Sequence, residues 1–88
     1  MEFRWIAWNI DHISEHGVTP DEAELAITCA APPYPEQIAD EKWLVMGRGS
    51  GGRFLQILFL LDEDGTIFVI HARPLNEIEK RRFRRRRR

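Results

Sequence analysis

The sequence predicts an α+β domain: two N-terminal helices, a three-stranded antiparallel meander and a C-terminal helix, with a fourth short strand left open at the N-terminus. Three observations predict it. Helix-capping signals cluster around residues 9–22 and again at 76–79. Three apolar stretches between residues 43 and 73 follow one another, separated only by glycine-containing turns. The chain has 88 residues, the length of one domain.

Residues 3–8, FRWIAW, suit a short strand or an anchoring lead-in. Asn9 can cap a helix over residues 10–16, with Ile10 and Ile13 inward and Gly17 closing it. Thr19-Pro20-Asp21-Glu22 reads as a capping box with proline at the first helical position. Ala23, Ala26, Ile27 and Ala30 then repeat at helical spacing, so that stripe faces the core. Pro32, Pro33 and Pro35 end the helix in a stiff linker.

Trp43–Arg48 is the first strand, and Gly49–Gly52 its hairpin loop. Arg53–Leu61 is apolar on both faces apart from Gln56, which marks a central strand. Asp62–Gly65 turns the chain into a third strand, Thr66–Arg73. Four-residue loops would set Gln56 opposite His71 and Phe54 opposite Arg73. Alternation then gathers Gln56, His71 and Arg73 on one face with Trp43, Val45, Ile67 and Val69. The other face would pack on the helices through Leu44, Met46, Leu55, Ile57, Phe59, Phe68 and Ile70. Asn76 and Glu79 form the capping box of the last helix, and the basic tail, residues 84–88, continues that helix or frays from the 1–83 domain.

The net charge of −1 hides a sharp asymmetry. Residues 1–79 carry five basic and 14 acidic side chains, net −9, while residues 80–88 carry eight basic side chains and no acid. The body repels polyanions and the tail attracts them. Cys29 is the only cysteine, which excludes an intrachain disulfide and a thiolate-rich zinc site. No secretory signal or membrane-spanning run is visible, so a cytoplasmic location is expected.

Two short motifs are set aside. His12-Ile13-Ser14-Glu15-His16 matches H-x-x-E-H, and histidines four apart on a helix can share a metal. No third ligand is recognisable, and a helix C-terminus explains His16-Gly17. Gly47–Gly52 matches G-x-G-x-x-G, but a strand follows where a dinucleotide site needs a helix.

Trp8-Asn9, His12, His16-Gly17-Val18-Thr19-Pro20 and Glu22 resemble the N-terminal block of BrnT-type toxins of bacterial toxin–antitoxin pairs. Gly47-Arg48, the glycine-rich turn, Arg53, Ile70-His71-Ala72-Arg73 and Glu79-Lys80-Arg81-Arg82-Phe83 resemble its later block, in order. The resemblance implies a RelE-like fold and RNA cleavage without a metal or other cofactor. It also implies neutralisation by a small ribbon-helix-helix antitoxin, through which oligomers can form. Cleavage by the 2′-hydroxyl needs a base, positive charge at phosphorus and an acid for the leaving oxygen. Carried over by motif, Arg73, Arg48, Arg53 and Glu79 are the candidate catalytic residues, with His71 as base or acid. Arg81, Arg82, Arg84 and Arg85 are the candidate RNA contacts. Three residues depart from the family pattern: His71 replaces a serine, Phe83 a tyrosine, and Glu77 a commonly basic residue.

Each position also has a structural reading. Arg73 can tie its strand to Glu77 or Glu79, Glu79 can serve as a cap, and Arg48 and Arg53 can be solvated hairpin ends. Trp5, Trp8 and Trp43 can be core or partner-facing anchors rather than base-stacking platforms. The competing function is therefore a non-catalytic module of the same fold that holds a partner through its tail or aromatic surface.

Overall fold

The computed structural model describes residues 1–86, and residues 87–88 of the basic tail lie outside them. The first helix, α1, is Ala7–Ser14, and the second, α2, is Pro20–Thr28. Four strands follow: β1 Glu36–Ala39, β2 Lys42–Arg48, β3 Phe54–Leu61 and β4 Ile67–Pro74. The last helix, α3, is Glu77–Arg86 and runs on into the arginine tail. The strands form one antiparallel sheet in the order β1-β2-β3-β4. The α+β class and the interior position of the second apolar run, β3, are as the sequence predicts.

The capping signals act as expected at α2 and α3. Glu22 N–H donates to Thr19 Oγ1 at 3.2 Å, and Glu22 Oε1 accepts from Thr19 N–H at 3.3 Å. Asn76 and Glu79 make the same reciprocal pair at 2.8 and 2.9 Å. Helix α1 begins earlier than the sequence predicts. Asn9 is not its N-cap but sits in the first turn, fully buried, accepting from Ile6 N–H at 2.8 Å and donating to the Arg4 carbonyl at 3.1 Å. A buried amide with both ends satisfied holds the lead-in against the helix. The lead-in makes only an isolated bridge, Phe3 to Ile67, so the fourth strand is β1 and not the N-terminal segment.

The core is built from Ile13, Val18, Ala23, Ala26 and Ile27 of the helical half and Val45, Leu55, Ile57, Phe59, Ile67, Val69 and Ala72 of the sheet. Each fully buried aliphatic side chain here stabilises the fold by roughly 1.5–3 kcal/mol relative to exposure. Helix α1 lies against β4, and α2 lies against β2 and β3. Phe83 of α3 reaches across to Phe54, at 5.4 Å between ring centroids, and to Tyr34 at 6.0 Å.

The packing face differs from the expected one in β2 and β4. Arg48 pairs with Phe54 and Leu61 with Ile67, so each hairpin loop holds five residues rather than four. Gly52 and Gly65 adopt φ of 84° and 86°, and the residue after each glycine still belongs to the turn. A left-handed glycine closing a turn consumes this extra residue. The core therefore takes Val45, Ile67 and Val69, and not Leu44, Met46, Phe68 and Ile70. A bulge between Leu58 and Phe59 then shifts the β4 register again. Gln56 faces Arg73 and Leu58 faces His71, in place of the expected Gln56–His71 and Phe54–Arg73 pairs. The bulge brings Ala72 into the core and turns His71 and Arg73 onto the outer face with Gln56.

Candidate functional site

Where β3 begins and β4 ends, the turn after α1 and the start of α3 come together. Arg73 is the centre of a polar network there. Its Nη1 and Nη2 donate to the two oxygens of Glu79 at 2.7 and 2.6 Å. Nη2 also donates to Gln56 Oε1 at 2.9 Å, and Nη1 to the Pro74 carbonyl at 3.1 Å. This bidentate pair is the strong form of an ion pair. The Arg73 hydrogen bonds, helped by Asn76 N–H, hold the Glu79 carboxyl down at about 2 from an ordinary 4.5. Of the two acids the sequence offered to Arg73, Glu79 is the partner; Glu77 pairs instead with Lys80 at 3.2 Å.

His71, two residues before Arg73 and on the same face, is half-buried. Its ring meets His16 edge-on at 5.4 Å between centroids and His12 at 6.3 Å. Burial first, and then its electrostatic neighbours, Arg73 among them, push its pKa below the ordinary 6.5. His71 is therefore a neutral imidazole at pH 7, able to accept a proton. His12 is itself stacked on Trp8, with centroids 5.2 Å apart and planes 7° from parallel. Trp8 also stacks on Phe68 at 6.0 Å. Sequence reasoning named His12, His16 and His71 but did not bring them together, because the meeting of the first two with β4 depends on how α1 packs. His12 and His16 each meet His71 edge-on. Among the described residues no three His, Cys, Asp or Glu side chains are grouped so as to hold a metal ion.

Arg53 does not join Arg73. It turns back to α2, donating through Nε to Glu22 Oε2 and through Nη2 to Glu22 Oε1, both at 3.0 Å. Nη2 also donates to the Gly17 carbonyl. The Arg53 hydrogen bonds hold the buried Glu22 carboxyl below its usual range, against the opposing effect of burial. Arg53 thereby ties the His16-Gly17 turn to α2 and to the start of β3.

Arg48 lies over the Phe54 ring at 4.7 Å from its centroid, and Arg84 approaches the same ring at 5.9 Å. Arg82 lines a recess of about 160 Å³ with Tyr34, Met46, Glu79 and Phe83. Arg81, Arg82, Arg84 and Arg85 are exposed. The outer face at this end is therefore a half-buried histidine and a closed Arg73–Glu79 pair beside exposed arginines of β2 and α3. A larger recess of about 340 Å³ lies elsewhere, between Met1, Ile27, Pro35, Trp43 and Ile67. Its lining side chains are apolar, among them Trp43, Phe59 and Leu61. Trp5 donates to Glu24 Oε2 at 2.7 Å and Trp43 borders the apolar recess, so both have anchoring roles.

In chemical terms the face supplies a proton acceptor and second imidazoles, with guanidinium groups that match phosphate oxygens. Compared with protein-family models, curated proteins and solved structures, the chain matches none of them.

Proposed function

We propose that the chain is a toxin-type endoribonuclease of the bacterial cytoplasm, cleaving RNA without a metal by attack of the 2′-hydroxyl on phosphorus. A ribbon-helix-helix antitoxin would hold it in check. The observation that carries this reading is His71, a half-buried imidazole in ring contact with His16 and His12, on the sheet face that also carries Arg73 and, farther along, Arg48 and Arg84 over Phe54. An RNA strand held by those arginines through phosphate would run along the sheet face that carries His71, a group able to accept the 2′-hydroxyl proton. The resemblance of the motifs from Trp8 to Phe83 to BrnT-type toxins supports the same chemistry and partner.

Within this reading the network suits the arginines to different roles. Arg73 spends four N–H directions on Glu79, Gln56 and Pro74, so it orients α3 and its charge acts at a distance. Arg53 is committed to Glu22 and Gly17. Arg48, Arg82 and Arg84 remain to meet phosphate.

The closed Arg73–Glu79 pair also favours a second reading, a partner-binding module that uses α3 and makes no cleavage. Induced expression of the wild type, Arg73→Ala and His71→Ala, with total RNA taken from each culture, separates the two. A nuclease arrests growth and degrades RNA in the wild type. His71→Ala then lowers cleavage by about 100-fold or more, the usual worth of a general base. Normal growth and intact RNA from soluble wild-type protein would leave the binding module.

A further inference from the structure

Cleavage through the 2′-hydroxyl moves two protons, one off the attacking oxygen and one onto the leaving oxygen. These oxygens stand in line on opposite sides of phosphorus, so one side chain does not serve both. Resting on the ribonuclease reading, we propose that His71 and His16 are the proton-transfer pair, His71 as the base and His16 as the acid.

The geometry picks His16 over His12. The His16 ring lies nearer His71, at 5.4 Å against 6.3 Å between centroids. His16 is exposed in the turn after α1 and can rotate toward a substrate, whereas His12 is stacked flat on Trp8. The Arg53 bond to the Gly17 carbonyl fixes the turn that carries His16, which makes Arg53 a positioning residue.

Electrostatics assigns the roles. His71 faces His12 and His16 from α1 and its following turn, and Arg73 from its own strand. Burial and the positive charge of Arg73 disfavour a proton on the half-buried His71, so within the pair we assign His71 as the neutral member and His16, which is exposed, as the proton donor. That state is the working one. Neutral His71 takes the proton from the 2′-hydroxyl as its oxygen bonds to phosphorus. The bond from phosphorus to the 5′-oxygen breaks, and that oxygen takes the proton from charged His16. The products are a 2′,3′-cyclic phosphate and a 5′-hydroxyl, and the pair is left with its proton moved to His71.

The test uses the purified full chain with two RNA oligonucleotides. One is ordinary; the other carries sulfur in place of the 5′-oxygen at the cleaved linkage, a leaving group that needs no acid. His16→Gln and His71→Gln should each lose about 100-fold or more on ordinary RNA. Sulfur should return His16→Gln to near the wild-type rate but leave His71→Gln slow. The rescue itself demonstrates that His16→Gln is folded. The wild-type pH–rate profile should be bell-shaped, and His16→Gln should lose its alkaline limb. A His16→Gln protein that cleaves ordinary RNA at the wild-type rate, or stays slow on both substrates, overturns the pair while the ribonuclease reading survives. A wild type that cleaves neither substrate overturns both.

Discussion

The charged residues of this chain differ widely in what they contribute, and burial decides the difference. Arg4 and Asp62 meet at 3.5 Å with side chains 49% and 39% exposed, so water screens them and the pair is worth little. Arg73–Glu79 is shorter, bidentate and better shielded, at 30% and 19% exposure. The Glu79 carboxyl is held at about 2 in the folded chain against an ordinary 4.5. A group with a depressed folded pKa stabilises the fold above its unfolded pKa and loses that stabilisation as pH falls through the folded value. Thermal unfolding of the wild type should therefore lose stability between about pH 4.5 and pH 2. Glu79→Gln should be less stable at pH 7, by about 1–3 kcal/mol, and flatter across that window. Parallel wild-type and variant curves would show that the pair carries no such linkage. The caps at Thr19 and Asn76 were legible in the sequence because each is written within four residues. The His71–His16 meeting was not, because it joins residues 55 positions apart through the packing of α1 on β4.

At the scale of elements, the loops decide which residues face which way. Each hairpin spends one residue more than its glycine-rich segment implies, and that single residue inverts a strand with period two. The strands themselves were plain in the sequence as apolar runs; their phase depended on backbone geometry at Gly52 and Gly65, which no apolar pattern records. Strand β1 escaped notice because its four residues, Glu36–Ala39, are mostly exposed and follow a proline-rich linker. The bulge at β4 has the largest consequence for the candidate site, since it moves His71 and Arg73 out of phase with Val69 and onto the outer face. The close approach of α2 to the first hairpin depends on Gly49. A Cβ there would lie 2.8 Å from the Glu22 carbonyl oxygen and 3.0 Å from Leu55 Cδ1. Gly49→Ala should destabilise the domain by about 1–3 kcal/mol through overpacking, read as a lower midpoint in urea. An unchanged midpoint would mean that the helix and hairpin separate without cost.

At the scale of the molecule, the charges are segregated along the chain and the fold reunites them. The acidic body keeps its carboxylates occupied where they matter: Glu22 with Arg53, Glu79 with Arg73 and Glu24 with Trp5. Of the α3 arginines, Arg82 lies beside Glu79 and Arg84 over the Phe54 ring. Among the described residues no helix is long and apolar enough to cross a membrane. On the proposed reading this surface would meet RNA through phosphate, and binding should then weaken as salt rises. The central claim, metal-free cleavage centred on His71, is tested most directly by incubating the purified wild type with RNA in excess EDTA and analysing the chain ends. The account predicts fragments ending in a 2′,3′-cyclic phosphate and a 5′-hydroxyl, absent with RNA whose 2′-hydroxyls are methylated. Intact RNA, or cleavage that EDTA abolishes, would contradict it.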